Sequence, residues 1–526
     1  MLERLAGGRA DLGRLPGQSR LWLPVVGMSL VAGIVMRVWV HRSASGVPDS
    51  DEAIVGLMTR HLIDGELSTF FWGQAYGGTQ EVLLTAPLFA VADSGWVALR
   101  LVPVLLSGAA ALVVWRVGRL TIGEPAATTA GLLAWIFPPF LLYKLTHQSG
   151  FYASGVVYAA LILLLALRLA GRPSRGRAAL FGLVLGLALW QTVQVVPIVL
   201  AAAAWVVWRT PPVLRHAPLA VAAMVVGALP TLVWNFQNDW GSLESPIENT
   251  TSYAHRLRIF ASPLLPMLLG LRTPFTQESL LPGRFTALLL LVLAALFAYG
   301  AYRTRSDPAS LLYVVAAVFP LVYAIAPQTL FSQEPRYLVV LSAVVVLLLA
   351  QLATTVPRGA VLLALALAVS VATLDRMNTY FETVPIQPPA APRDLAPLVA
   401  TLDRLELDRV YADFWLSYRL TFETGERIVA AQSKLERVGL VDGRVLASRH
   451  PFSRYRPFER EVEAAARRGF VFFRASLDEG ADRTPGPAAE ARVAQLAALV
   501  AELRDRGYRE TRVGPFAVYA PPPPQP

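Results

Sequence analysis

Three carboxylates, Asp49, Asp51 and Glu52, stand within four residues of one another directly behind the first long apolar run of a 526-residue chain. A carboxylate held where a chain leaves the membrane can take a proton from an attacking hydroxyl. The same acids also suit the first turn of a helix, where they cap free N–H groups and complement the dipole. Both roles fit the residue types. Residues 53–65 follow with Ile54, Val55, Met58 and Leu62 on one side and Arg60, His61 and Asp64 elsewhere, the pattern of a helix lying in the membrane interface with Asp51 and Glu52 at its start.

Between Val47 and Glu81 the stretch continues into FWGQAYGG. Gln74, Tyr76 and Glu81 are of the types that hydrogen-bond and stack on sugars, and the glycine pair permits a tight turn near a ligand. An aromatic belt with an ordinary turn has the same composition. Later in the chain, FSQEPRYLVV sets Arg336 and Tyr337 at the mouth of an apolar run, where a guanidinium can grip a phosphate in two places, or merely snorkel from a helix end. Arg37 lies near the outer end of the first run, and His255, Arg256, Arg258 and Arg272 crowd residues 237–284. Such cations call for an anion, a lipid phosphate among the candidates.

The elements that must position these groups are membrane spans. The chain is 55% hydrophobic, with a mean hydropathy of +0.48, and its apolar runs are long enough to cross a hydrocarbon core of roughly 30 Å. The expected fold class is a polytopic α-helical membrane protein followed by an extracytoplasmic α/β domain. Arg4, Arg9, Arg14 and Arg20 precede the run 21–40, which makes residues 1–20 a cytoplasmic segment. Ser43 to Ser45 has the small-x-small look of a signal-cleavage site, but the run before it is too long for a signal-peptide core and reads as an uncleaved span.

Further spans are expected at 96–115, 124–143, 150–169, 178–191, 194–209, 217–236, 285–302, 309–326, 337–356 and 359–374, about eleven crossings in all. Threaded from inside, they place Arg116, Arg119, Arg168, Arg172, Arg175, Arg177, Arg209, Arg215, Arg303, Arg305 and Arg358 in the inner links, as the positive-inside rule requires. The acid-rich and aromatic-rich segments then share the outer side. The division of 178–209 rests on Gln191, Thr192 and Gln194 ahead of Pro197; one tilted helix there would invert everything after it.

Composition changes beyond residue 375. A linker, VPIQPPAAPRD, leads to strand-like runs at DRVYADFW, ERIVAA, GFVFF and FAVYA, with a helical pattern around 486–507. The expected units are a transmembrane region at 21–375, an α/β domain at 376–518 and a disordered Pro-rich end at 519–526.

A first outward loop with the acidic pair Asp51–Glu52, Arg-bounded spans, the Arg336–Tyr337 pair and a trailing outer domain together resemble the GT-C glycosyltransferases. Within that superfamily the chain is most similar to family 39, the protein mannosyltransferase and aminoarabinose transferase type. The resemblance covers roughly residues 20–375 and implies a polyprenyl-phosphate-linked sugar as donor, a hydroxyl or phosphate acceptor and inversion at the anomeric carbon. It implies that Asp51 acts as base or orients the acceptor with Glu52 beside it, and that Arg336 and Tyr337 hold the donor phosphate. Relatives often carry a second acid in the second outward loop. Here that turn reads YKLTHQSGFY and offers His147 and Gln148, so the partner group and any divalent metal stay open.

Other classes fit less well. There is no cysteine, which removes thiolate chemistry and cysteine-held metals. The net charge of +10 sits in the links between spans, which argues against nucleic acid. A transporter or lipid flippase would share the polytopic plan, but the sequence shows no clear internal repeat, few mid-span ionisable residues and no phosphate-binding GxxxxGK loop. A non-catalytic envelope-assembly protein remains a third reading. The acceptor under the enzyme reading is a protein, a glycolipid or a wall glycan.

Overall fold

The first apolar run forms α1 (Ser19–Arg42), and the acids open α2 (Ser50–Ile63). The computed structural model describes residues 19–92, 94–244, 251–326, 329, 331–383, 391–432, 438–441, 444–447, 453–477 and 487–522. The segment carrying Arg4, Arg9 and Arg14, residues 384–390 of the Pro-rich linker and the last four residues lie outside them. Next come α3 (Gln80–Val91), α4 (Trp96–Thr121), α5 (Ala126–Ile136), α6 (Pro139–Lys144), α7 (Tyr152–Gly171), α8 (Arg175–Gln191), α9 (Val196–Arg209) and α10 (Ala217–Gly227). The membrane part closes with α11 (Gly283–Thr304), α12 (Ser310–Tyr323), α13 (Ser342–Ala350) and α14 (Val356–Thr383).

Every expected run contains a helix, yet among the described residues five helices, α1, α4, α7, α11 and α14, are long and apolar enough to cross a membrane. A sixth span results if Val193–Arg209 and Pro211–Gly227, bent by 118°, count as one. Breaks inside the apolar runs cause the difference from the eleven expected. Phe137 is extended ahead of Pro138, because proline disfavours the helical conformation in the residue before it, so 124–143 divides into α5 and α6. Thr192 is extended too, and its hydroxyl accepts from Gln194 N, which separates α8 from α9. The segment 41–95 holds a helix the sequence reading lacked, α3. It is apolar but only 12 residues long. Aliphatic side chains such as Leu291, Val97 and Leu112 are 68%, 77% and 68% exposed, and no residue of α11 is buried. Apolar surface on that scale is satisfied by lipid: the chain is a multi-pass membrane protein.

Past α14, which runs eight residues beyond position 375, the chain builds an α/β unit from β1 (Arg409–Ala412), β2 (Val429–Gln432), β3 (Val438–Val441), β4 (Arg444–Ala447), β5 (Gly469–Phe473), β6 (Arg509–Val513) and β7 (Phe516–Ala520). Its helices are α15 (Ala396–Arg404), α16 (Phe414–Glu423), α17 (Arg456–Ala464) and α18 (Pro487–Asp505). The main sheet has the order β2-β1-β5-β7-β6; β1 pairs in parallel with β2 and β5, and β7 antiparallel with β5 and β6. Parallel neighbours need a crossover, which α16 supplies between β1 and β2. Leu398, Leu402, Val410, Leu416, Leu420, Val471 and Val518 fill the core. Four of these strands fall on the four strand-like runs of the sequence; β6 and the β3–β4 hairpin do not.

The α/β unit docks on α2. Ala53, Ile54, Val55 and Leu57 are wholly buried, and one apolar cluster joins them to Phe414, Tyr418, Phe422 and Phe458. The expected interfacial helix is therefore corrected: α2 is covered by protein, not lipid. The run AIVGLM is apolar on all sides, and a helix of that kind is buried all round. Gly56 lets α16 approach so closely that a Cβ there would overlap the Phe422 ring. Arg60 clamps the same end, its Nη1 donating to Phe422 O at 2.8 Å and its guanidinium 4.1 Å from the ring centre.

Candidate active site

The three acids at the start of α2 have three different surroundings. Asp49 is the N-cap, in extended backbone, with Oδ1 accepting from Glu52 N at 2.9 Å. Glu52 is buried against Arg100, whose Nε donates to Oε2 at 2.8 Å and whose Nη2 is ion-paired with the same oxygen at 2.8 Å. Arg100 also donates to Gly46 O at 3.0 Å and lies 2.7 Å from His41 Nδ1. Asp51, between them in sequence, keeps an enclosed Oδ1 with no hydrogen-bond partner. It sits in the first turn, where the helix dipole favours an anion. The neighbours thus differ: Asp49 caps, Glu52 anchors through Oε2 with Oε1 left unpartnered, and Asp51 makes no side-chain hydrogen bond among the described residues.

Burial raises Asp49 to about 6, with the charge of Asp51 adding to the effect and Lys144 and Arg100 opposing it. Burial likewise raises Glu52 to about 7 against the pull of Arg100. His147 stands behind Glu52, its Nε2 3.8 Å from Oε1 and its Nδ1 2.9 Å from Tyr143 O. Burial and then Arg100 hold the imidazole well below its ordinary range, so it is neutral.

The FWGQAYGG segment folds into a tight loop in which Phe71 N donates to Gly77 O at 2.7 Å and Gly78 N to Gln191 O at 2.9 Å. Gly73 has φ +67°, and a Cβ there would lie 2.7 Å from Arg454 Cα, so only glycine fits. The loop looks two ways. Trp72 stacks on Tyr455 of the α/β unit at 3.9 Å, and Gln74, with its amide oxygen presented, accepts from Arg454 Nη1 at 2.7 Å. Tyr76 is 38% exposed and lies in the fields of Arg454, Arg336 and Asp51.

Glu81 is fully buried. Its Oε1 accepts from Ser154 N at 2.9 Å and Ser154 Oγ at 2.6 Å, capping α7 from outside that helix. Gln191 Nε2 completes the corner by donating to Ser154 Oγ at 2.8 Å. Glu81, expected at the sugar, fastens α3, α7 and α8 through Oε1, while its enclosed Oε2 has no partner among the described residues. Arg37 is also interior: Nη1 donates to Gly33 O and Trp135 O at 3.0 Å, Nη2 to Ser107 Oγ at 2.7 Å, and the guanidinium lies 3.8 Å from the centre of the Trp135 ring. Donors committed in this way tie α1 to α4 and α5 instead of facing a phosphate. Among the loop cations, Arg256 Nε donates to Ala324 O and Arg272 Nε to Gln277 O, both at 2.7 Å.

Arg336 and Tyr337 open the 3-10 turn Arg336–Leu341 that leads into α13. Arg336 is ion-paired with the buried Glu334, its guanidinium 5.4 Å from the centre of the Phe331 ring, and its Nε has no partner. Tyr337 lies in the fields of Arg336, Tyr76 and Glu334. Tyr76 thus feels the charges of Asp51, Arg336 and Arg454, and Arg454 holds Gln74, while Tyr337 feels Arg336; Glu52 and His147 face each other beside Arg100, and Arg37 and Glu81 bond elsewhere. Sequence reasoning missed Arg100, Tyr152, Glu334 and Arg454. Glu334 stands two residues before Arg336 and was visible; Arg454 comes from the α/β unit and carried no local signal. Among the described residues no three His, Asp or Glu side chains gather as a metal-binding group.

No protein-family model and no curated protein sequence matches the chain. Solved structures do. ArnT from Cupriavidus metallidurans in the apo state superposes with a TM-score of 0.62 at 14% identity, over 96% of this chain and 98% of ArnT. ArnT bound to undecaprenyl phosphate gives 0.61, with the same identity and coverage. The Archaeoglobus fulgidus oligosaccharyltransferase in complex with zinc and sulfate gives 0.45 at 13% identity, over 89% of this chain and 70% of that one. At such identities likeness speaks for fold alone, and it extends through the membrane helices and the C-terminal unit together: this chain has the fold of ArnT.

Proposed function

We propose that the protein is an integral membrane glycosyltransferase that moves a sugar from a polyprenyl-phosphate donor to an acceptor on the extracytoplasmic face, with inversion. The observation that carries this reading is the enclosed, unpartnered Oδ1 of Asp51 in a site that also holds Tyr76 and Arg336. An acceptor hydroxyl attacks the anomeric carbon and gives its proton to Asp51, a base contribution of typically 10²- to 10⁴-fold. The bond from that carbon to the phosphate oxygen breaks, and its electron pair leaves with the polyprenyl phosphate. Arg336 and Tyr337 hold the phosphate, while Gln74 and Tyr76 line the sugar side.

The reading includes about eleven crossings, counting the shorter and broken helices, with the site facing outward. Nucleotide sugars are not available on that side, so the donor must be carried on a lipid, and its phosphate leaving group needs cationic stabilisation more than it needs an acid. The ArnT structure with undecaprenyl phosphate supports a lipid phosphate as ligand of this fold. The acceptor is a protein, a glycolipid or a wall glycan. Membranes containing the protein should transfer labelled sugar from at least one polyprenyl-phosphate donor when supplied with these acceptors. No transfer across a panel of sugars, together with protein-dependent movement of the lipid between leaflets, would replace the enzyme reading with a flippase.

A further inference from the structure

Lys144 and Lys434 are the only lysines in a chain whose Lys and Arg number 47, and Lys144 ends α6 beside the acids of α2. Its ammonium acts electrostatically on Asp49, Glu52 and His147, yet among the described residues no ion pair or hydrogen bond holds it. Instead Nζ lies 4.7 Å from the centre of the Tyr152 ring, a cation–π contact. Tyr152 lies in turn in the fields of Arg336, Tyr337, Glu334 and Tyr76. Tyr152 is therefore touched by the half-buried Lys144 and lies within the field of Arg336.

Charge accounting gives it a task. Arg336 is already neutralised by Glu334, so that pair brings no net positive charge to a bound phosphate. A departing polyprenyl phosphate gains a second negative charge as the bond to the sugar breaks, and donors fixed where charge develops stabilise that change. An unpaired ammonium is a compact charge with three rotatable donors, able to follow a phosphate group as it changes from diester to monoester. We infer that Lys144 is the second phosphate-holding cation of the donor site, supplying the net positive charge that the Arg336–Glu334 pair lacks. This rests on the glycosyltransferase reading above.

The full-length protein in detergent should be treated with an amine-acylating reagent, and the modification of Lys144 followed by peptide mass spectrometry with and without undecaprenyl phosphate. The lipid phosphate should protect Lys144, while undecaprenol, which lacks the anion, should not. In parallel, Lys144→Gln should weaken undecaprenyl phosphate binding and raise the donor KM by about 10- to 100-fold, with Lys144→Arg restoring most of the loss and melting temperatures unchanged. Lipid that binds while Lys144 acylates at its free rate would overturn the inference and leave the glycosyltransferase reading standing. A Lys144→Gln variant with unchanged KM and a displaced pH–rate profile would also overturn it, by showing that the ammonium serves only to tune Asp49. A wild-type protein that binds no lipid phosphate at all would remove both.

Discussion

Asp51 and Glu81 are acids of the same segment, 41–95, thirty residues apart, and in sequence both stand at the start of a helix that leaves a polar loop. Their environments diverge. Each keeps one enclosed oxygen without a partner among the described residues, Oδ1 of Asp51 and Oε2 of Glu81, but the Asp51 side chain makes no hydrogen bond there at all. Glu81 gives Oε1 to the backbone and hydroxyl of Ser154 and so holds the start of α7 in place. The difference is made by what packs against each turn. At α2 the neighbouring acids take the capping and anchoring roles, Asp49 for Glu52 N and Glu52 for Arg100. At α3 a helix N-terminus with orphan N–H groups is brought up against the carboxylate. A buried carboxylate is thus a fastening where donors converge on it and, under the proposed mechanism, a base where they are directed elsewhere.

Substitutions can sharpen this contrast, beginning with the largest effect. Arg336→Gln removes a charge from the proposed phosphate site, and should lower transfer by about 10²- to 10³-fold, the usual effect of losing one donor to a developing anion. Its melting temperature in detergent should stay near wild type; a collapse would make Arg336 a structural partner of Glu334 instead. Glu81→Ala should behave in the opposite way, costing about 2 to 3 kcal/mol of stability because Ser154 N and Oγ lose a charged acceptor. Thermal denaturation checks this, and a stable but inactive variant would return Glu81 to the site.

Gly56→Val should detach the α/β unit from α2, since even a Cβ overlaps Phe422. Limited proteolysis between the membrane part and the α/β unit should then accelerate. The smallest effect concerns His61, which bonds Glu66 Oε2 at 2.9 Å and Glu426 Oε2 at 3.0 Å and packs against Trp72, Tyr455 and Phe458. The hydrogen bond to Glu426 lifts it to about 9, opposed by burial and assisted by Glu66. A cation whose folded value is raised stabilises fully below its ordinary value of 6.5, and that share is lost as pH rises through 9. Docking should loosen above about pH 9 in wild type and become insensitive to pH in His61→Gln.

Much of this molecule was legible locally. Helices lie in all the apolar runs, and four strands of the main sheet match the runs DRVYADFW, ERIVAA, GFVFF and FAVYA, because periodicity and β-branched or aromatic content are local signals. The acids of α2 and the Arg336–Tyr337 pair were also visible as residue types. Partner choice was not. Arg100 reaches Glu52 across 48 residues and Arg454 reaches Gln74 from the α/β unit, and nothing near either residue in sequence announces it. Arg37, read as a cation in need of lipid phosphate, finds Ser107 and the Trp135 carbonyl inside the bundle instead. The α2 helix misled for a related reason: its apolar side chains mark burial, and the sequence does not say whether lipid or another part of the same chain does the burying.

The most direct test of the account compares Asp51→Asn with wild type in one purified preparation, measuring sugar transfer from a polyprenyl-phosphate donor alongside the melting temperature. The account predicts transfer lowered by about 10²- to 10⁴-fold with an unchanged melting temperature, because the lost carboxylate oxygen fastens nothing in the fold. Wild-type transfer in the variant, or a loss of activity that only follows a loss of stability, would contradict it.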